Sequence, residues 1–219
     1  MNLVGITRAG LIDYVSDQLA HFFPDRAGDA RAPIASAFDD ALDRLRPCVQ
    51  LNRVWPEGGF RYLHSNQYAT FLYLLANTLW KRGGAEHVCD KLYGLNKALN
   101  GLECFYTIEL PRIFSICHSP GIVLAQATYA DYLVLYQGVT VGRIDPASRP
   151  VLSEGVILFP HSAIIGACRV GPRTVVSLGH AVIDADTPGD CVVFSDRGEL
   201  VFKPSKTDYL ARFFRLDAR

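Results

Sequence analysis

Aliphatic side chains recur at every sixth position through the second half of the chain. This period matches neither the 3.6 residues of an α-helix turn nor the two-residue alternation of a β-strand. It predicts a triangular coil in which each flat side is one short strand that points one aliphatic side chain inward. The series is Leu152, Leu158, Ile164, Val170, Val176 and Val182, preceded at the same step by Tyr129, Leu135 and Val141, and by Leu110 and Ile116.

Small side chains follow several of these aliphatic residues four positions later, namely Ser162, Cys168 and Thr174. Small residues at this spacing let the chain turn the corner between two flat sides. A β-sandwich is the alternative, but its strands recur at intervals of about 8–12 residues. Six regular positions in series therefore favour the coil, which buries its core only by stacking and needs covers at its ends.

The first hundred residues have the 3.6-residue period of α-helices instead. Apolar residues three or four apart predict helices over 6–23, 33–45, 67–80 and 85–99. The expected fold class is therefore α+β, with a helical domain over 1–102 that covers one end of a β-helix over 103–204. A C-terminal tail, 205–219, contains a short helical pattern at 207–214.

Composition limits the classes of partner and the location. Lys plus Arg and Asp plus Glu number 22 each, so no net charge would draw the protein to nucleic acid or to an acidic membrane. No apolar run reaches spanning length, and the N-terminus lacks the pattern of a secretion signal, so a cytoplasmic location is expected. The six cysteines are then expected as free thiols. A zinc site from Cys104, Cys117 and His118 matches no standard ligand spacing, and no metal is expected.

Two segments carry a resemblance to a known family. His118-Ser-Pro-Gly-Ile-Val and Tyr136-Gln-Gly-Val-Thr-Val-Gly142, together with the repeats and the helical cover, resemble serine acetyltransferases of the hexapeptide-repeat acyltransferase family. The resemblance runs from about residue 67 to 204. It implies a left-handed parallel β-helix, a homotrimer or dimer of trimers, acetyl-CoA as co-substrate, and an active site between two subunits.

The resemblance also implies roles for individual residues. His118 aligns with the catalytic base, and a neutral imidazole suits the removal of an alcohol proton near neutral pH. Glu103 aligns with the carboxylate that orients the base, and Glu109 is the reserve candidate. The edge expected to bind acetyl-CoA includes Gly142, Pro160, Ser177 and Leu178.

The acceptor pocket departs from the family pattern. Cys117 stands where serine acetyltransferases have an aspartate, and Arg149 lies one position along from the family arginine. With His64, these residues are the expected substrate contacts. Serine or a related hydroxy amino acid is the first expected acceptor, and a sugar of a surface polysaccharide precursor is the alternative. A non-catalytic β-helix scaffold is the rival from another class.

The remaining histidines of the repeats have no expected role in the site. His161 and His180 are expected as ordinary outward polar residues. A three-histidine metal site that joins them to His118 would resemble a β-helix carbonic anhydrase, but the three have no recognisable ligand spacing and this reading ranks last.

Overall fold

The computed structural model describes residues 1–25 and 28–216, so the last three residues of the predicted tail lie outside it. A two-stranded parallel sheet, β1 (Leu3–Val4) with β2 (Phe60–Arg61), ties the start of the chain to the segment before the third helix. The helices are α1 (Arg8–Phe22), α2 (Arg31–Leu51), α3 (Ser65–Lys81), α4 (Glu86–Asn100) and α5 (Tyr209–Phe213).

Local signals fix several helix ends. The Thr7 hydroxyl accepts from the Gly10 backbone N–H (3.1 Å) at the start of α1, and Gly101 closes α4 with a left-handed φ of 63°. The second helix is longer than predicted: it runs past Leu45 to Leu51 and includes Pro47. Cys48 and Val49 in this extra turn are buried, and their packing offsets the backbone bond that proline removes.

The second half is a parallel β-helix with three faces. Successive coils place their strands in the same three sheets, so each strand pairs with the one a coil earlier. The first face contains β4 (Phe114–Ile116), β7 (Leu133–Leu135), β10 (Ile157–Leu158), β13 (Val175–Val176) and β15 (Cys191–Asp196). The second contains β3 (Leu102–Cys104), β5 (Ile122–Leu124), β8 (Thr140–Gly142), β11 (Ala163–Ile165) and β14 (Ala181–Ile183). The third contains β6 (Thr128–Tyr129), β9 (Val151–Leu152) and β12 (Arg169–Val170).

The six-residue series forms the interior of this β-helix, as predicted. Leu152 pairs with Val170 and Leu158 with Val176, eighteen positions apart in each case, and all four are buried. The small residues Ser162, Cys168 and Thr174 are buried at the turns. We call the turns from the first to the second face the first corner (117–121, 136–139, 159–162 and 177–180). The second corner joins the second face to the third, and the third corner joins the third face to the first.

Side chains of the helical half donate hydrogen bonds to backbone carbonyls at the edge of the β-helix that adjoins the helices. Strand β4 is an edge strand, and its free carbonyls would otherwise be buried without a donor. Donors from α3 and from the segment before it bond this edge and the chain leading into it. The bonds are Trp55 Nε1 to Ile116 O (3.1 Å), Asn66 Nδ2 to Cys117 O (2.6 Å), Tyr73 Oη to Ile108 O (2.7 Å) and Asn77 Nδ2 to Tyr106 O (2.7 Å).

The chain returns along the outside of the first face after an antiparallel hairpin of β15 with β16 (Glu199–Pro204). Helix α5 and Phe214 pack there against the outward side chains of Val134, Ile157 and Val175. The Arg53 N–H then donates to Phe213 O (2.7 Å), which joins the returning segment to the end of α2. The predicted tail helix therefore covers a face of the β-helix.

The predicted fold class, N-terminal helices followed by a β-helix of six-residue repeats, is confirmed. One hydrophobic core runs through both halves, from Leu11 to Val193, so the division into domains at residue 102 stays a prediction. Within the described residues, no helix combines the length and apolar character needed to cross a membrane.

Candidate functional site

His118 lies at the first corner, just after β4, with an exposed side chain. The loop that contains it rests on the end of α4. Gly121 N donates to Gly101 O (3.0 Å), and a methyl group on Gly101 would lie 3.0 Å from Pro120 Cα. This close approach leaves the loop little freedom on its C-terminal side.

The helical half fixes the backbone on the other side of His118. The carbonyls of the two preceding residues, Ile116 and Cys117, accept from Trp55 and Asn66 respectively. Cys117 N also donates to Leu135 O (2.9 Å) in the next coil. His118 is therefore an exposed imidazole on a backbone that is bonded on both sides, which is the rigidity expected of a catalytic group.

Two uncharged side chains, those of Cys117 and Tyr136, lie beside His118, and we call them the uncharged wall. The Tyr136 ring centroid lies 6.1 Å from that of His118, and the buried Cys117 thiol lies 3.7 Å from the Ser115 hydroxyl. Burial raises the pKa of Cys117, and it raises the pKa of Tyr136 to about 12. Both groups are therefore neutral near pH 7. The ring of Phe159 packs next to this wall, with its centroid 5.4 Å from that of Tyr136.

The two candidate orienting carboxylates are held by cations. Glu103 projects from the outside of the second face opposite Val123, and its Oε2 lies 2.7 Å from Lys97 Nζ. Glu109 Oε2 lies 2.6 Å from Lys81 Nζ. Within the described residues neither carboxylate bonds His118, so their orienting role stays a prediction.

His64 lies on the helical side of the site. It is the N-cap of α3, where its Nδ1 accepts from Gln67 N (3.4 Å), and its ring centroid is 6.4 Å from that of Trp55. Partial burial lowers its pKa, which favours the neutral ring. His64 thus belongs to the same segment as Trp55 and Asn66, although it makes no described contact with His118.

Pro160, Ser177 and Leu178 share the first corner with His118. Gly179 N donates to Pro160 O (3.0 Å), which stacks the two turns, and Leu178 is 65% exposed. An exposed leucine beside a proline gives this corner an apolar strip below the histidine. Three of the four residues predicted to contact acetyl-CoA therefore lie in one row.

Arg149 and Gly142 lie elsewhere in the same chain. Gly142 ends β8, and Arg149 is exposed in the 143–150 loop, so both belong to the second corner. Asp145 orders this loop by accepting from the N–H groups of Ala147 (2.7 Å) and Ser148 (2.9 Å). The width of one face separates these two residues from the row that contains His118.

Sequence reasoning missed the residues that hold the site together. Trp55 and Asn66 act through backbone carbonyls some fifty to sixty positions away, and no spacing rule connects such pairs. Tyr136 begins the second of the two segments that carry the family resemblance. It lies two positions before Gly138, at a turn of the β-helix, and this placement is the sequence signal that could have identified it.

Comparisons with known proteins show what the chain resembles in sequence and in fold. No protein-family model matches the chain. A serine acetyltransferase of Synechococcus elongatus is 28% identical over 113 residues, which are 50% of this chain and 46% of the relative. The chain thus spans about half the length of the curated relative that it matches.

Solved structures match over nearly the whole chain. A serine acetyltransferase in complex with cysteine superposes with a TM-score of 0.73 at 16% identity, over 93% of this chain and 83% of that one. The chain has the serine acetyltransferase fold. A serine acetyltransferase in complex with CoA gives a TM-score of 0.67 at 18% identity, over 88% of this chain and 84% of that one. The predicted resemblance to serine acetyltransferases is therefore confirmed in sequence and in fold.

Proposed function

We propose that the protein is an acetyl-CoA-dependent O-acetyltransferase in which His118 is the general base. The observation that carries the proposal is an exposed imidazole on a backbone bonded from both sides, at the corner of a β-helix with the serine acetyltransferase fold. The sequence similarity to a serine acetyltransferase over half the chain supports the same activity.

His118 would take the proton of the acceptor hydroxyl as its oxygen attacks the thioester carbonyl carbon. The C–S bond then breaks, and the imidazolium returns the proton to the departing CoA sulfur. The products are the acetyl ester and free CoA, so the base is regenerated in each turnover. The carboxylate of Glu103 would orient the ring if it exchanges Lys97 for His118 when substrates bind.

The first corner is the proposed binding edge for acetyl-CoA. Its exposed Leu178 and half-buried Pro160 offer apolar contact to a pantetheine arm one or more coils below His118, and Ser177 adds a hydroxyl. One of the solved structures with this fold is a complex with CoA, which supports the assignment. Gly142 would contribute to such an edge only from a neighbouring subunit, because it lies at the second corner.

Serine or a related hydroxy amino acid is the first proposed acceptor, as the names of the similar proteins suggest. A neutral sugar hydroxyl is the second, and one observation favours it. The wall beside His118 consists of Cys117 and Tyr136, which provide no negative charge for an ammonium group. Arg149 would hold an acceptor carboxylate in the first case.

We propose a homotrimer, or a dimer of trimers, in which this site lies between subunits. Beyond the ion pair of Glu103 with Lys97, the outside of the second face is mainly apolar: Val123 is 37% exposed, Ile183 is 56% exposed, and Ala163 pairs with Ala181. Such a surface favours association. A neighbour packed there would also carry its Arg149 toward His118, which residues of one chain do not achieve. Sedimentation should give about three times the 24.2 kDa chain mass, or twice that value again.

Mixed subunits test the shared site. With a hydroxy amino acid as acceptor, we expect His118→Ala and Arg149→Ala each to be inactive. Co-refolded at equal amounts, the two variants should recover about a quarter of wild-type activity, because one site in four then joins an intact His118 to an intact neighbouring Arg149. No recovery would show that each site is built within one chain.

The activity itself is tested by thiol release from acetyl-CoA with serine, other hydroxy amino acids and nucleotide sugars as acceptors. We expect His118→Ala to lose at least about 100-fold in kcat, while His87→Ala, an exposed histidine on α4, keeps wild-type rates. Titration of the wild type with CoA separates the enzyme from a scaffold. No heat of binding, or full activity in His118→Ala, would end the proposal.

We also propose a cytosolic location. All six cysteines are free and buried, as in proteins of a reducing compartment. Fractionation of the native cells, with an antibody to the chain, would test this directly.

A further inference from the structure

A ladder of left-handed residues runs along the first corner. Three of its rungs are glycines, Gly121 (φ 78°), Gly138 (φ 67°) and Gly179 (φ 73°). The fourth is His161 (φ 59°), which takes a conformation that costs energy for any residue with a Cβ. His161 N donates to Gln137 O (2.9 Å), which stacks this rung below Gly138.

The His161 side chain folds back over the glycine of the preceding coil. A Cβ on Gly138 would collide with His161 Nδ1, so the glycine is required for the ring to lie there. Because Gly138 N in turn donates to Pro120 O (3.0 Å), the ring lies one coil below the loop that contains His118. The spacing of adjacent strands makes that step about 4.8 Å.

The other two corners use the same arrangement for a structural purpose. At the second corner Asp184 (φ 44°) folds over Gly166 and accepts from Ala167 N (2.9 Å). At the third corner Arg173 (φ 52°) folds over Gly155 and forms a two-bond ion pair with Asp190. In both cases the folded side chain closes the corner with bonds to its own chain.

His161 makes no such bond. Its ring is exposed, and among residues 1–25 and 28–216 it has no hydrogen bond or ion pair to the protein. The corner that contains His118 therefore has a residue with a strained backbone and a side-chain donor that bonds nothing in the described part of the chain. At the other two corners the corresponding side chains form hydrogen bonds to the chain. Backbone strain that no local hydrogen bond compensates is characteristic of functional positions.

We propose that His161 is a positioning residue for the acyl donor, and that its free ring N–H donates to an amide carbonyl of the pantetheine arm. This inference rests on the proposed function. An imidazole retains a ring N–H in both its neutral and its charged form, so the contact persists across the working pH range. Pro160 precedes His161 in the same turn, and the exposed Leu178 lies one coil below, so apolar contact and a hydrogen-bond donor meet at one place.

Three variants test the assignment. His161→Gly restores the glycine of the ladder and removes the donor, whereas His161→Gln keeps a donor near the position of Nε2. Asp184→Gly makes the same backbone change at the second corner and is the matched control. Each is titrated with CoA, assayed for acetyl-CoA turnover, and unfolded by heat.

We expect His161→Gly to weaken CoA binding roughly three- to tenfold, the loss of one hydrogen bond. The KM for acetyl-CoA should rise by the same factor with kcat within about twofold, and the unfolding midpoint should not fall because strain is relieved. His161→Gln should restore most of the affinity, and Asp184→Gly should bind CoA like the wild type.

A purely structural role would leave the Kd for CoA unchanged in His161→Gly, and that result overturns the inference while the proposed function stands. Equal weakening in Asp184→Gly would overturn it too, because the effect would then be general. If the wild type fails to bind CoA, the inference falls together with the proposed function.

Discussion

Trp55→Phe probes the bond that joins the helical half to the site. Trp55 is 3% exposed, and its Nε1 donates to Ile116 O at 3.1 Å, two residues before His118. Phenylalanine keeps most of the packing but leaves a buried carbonyl without a donor. That omission costs about 1–3 kcal/mol, and for a chain of this size it lowers the unfolding midpoint by about 2–12 °C.

The same change should reduce turnover more than binding. Release of the Ile116 carbonyl lets the corner loop shift, and a displacement of about 1 Å at a reacting group can cost about 100-fold. We therefore expect kcat to fall by about tenfold or more. The Kd for CoA should stay within about threefold, because the residues proposed to bind CoA lie in later coils of the first corner than His118.

Trp80→Phe is the matched control. Trp80 is 40% exposed, and its indole N–H has no protein partner within the described residues. Circular dichroism melts and steady-state kinetics of both variants provide the comparison, and in each variant the remaining tryptophan reports folding by fluorescence. Equal losses of stability in the two variants, or wild-type kcat in Trp55→Phe, would refute the reasoning.

Other consequences concern packing, thiols and the acceptor loop. Phe214→Ala should lose about 3–5 kcal/mol in urea unfolding because Phe214 is fully buried over the first face, whereas Leu63→Ala, 74% exposed, should stay within about 0.5 kcal/mol. Burial raises the pKa of Cys48 to about 12 and all six thiols are buried, so a thiol reagent at about pH 8 should label less than about one group per native chain and six after unfolding. Asp145→Ala should raise the acceptor KM through the loop of Arg149. Backbone donors lower the pKa of Asp145, so this ordering is present above the ordinary carboxyl pKa and is lost only as the pH falls through the lowered value, below about pH 4; acceptor KM against pH checks it.

The regular part of the fold was readable from sequence because each coil repeats one physical requirement. Leu158 and Val176 had to point inward at the same place in successive coils, and a six-residue period has no other simple solution. The covering of the first face was not predicted, although the sequence contains a signal for it. There the inward residue follows another aliphatic one, as in Val134-Leu135 and Ile157-Leu158, which indicates burial on both sides.

The site was less accessible to such reasoning. Its parts are joined by contacts between distant segments, such as Asn66 with the Cys117 carbonyl, and these depend on how the helices dock. His161 was interpreted as an ordinary outward polar residue because spacing does not show that a corner position has a left-handed backbone. The direction in which that side chain folds emerges only from the stacked coils.

Chemical rescue tests the central claim most directly. His118→Gly removes the imidazole and leaves space at an exposed corner, and free imidazole from solution can then act as the base. We predict that added imidazole restores acetyl transfer to the acceptor in a saturable manner and does nothing for the wild type. Full transfer by His118→Gly without imidazole would contradict the account.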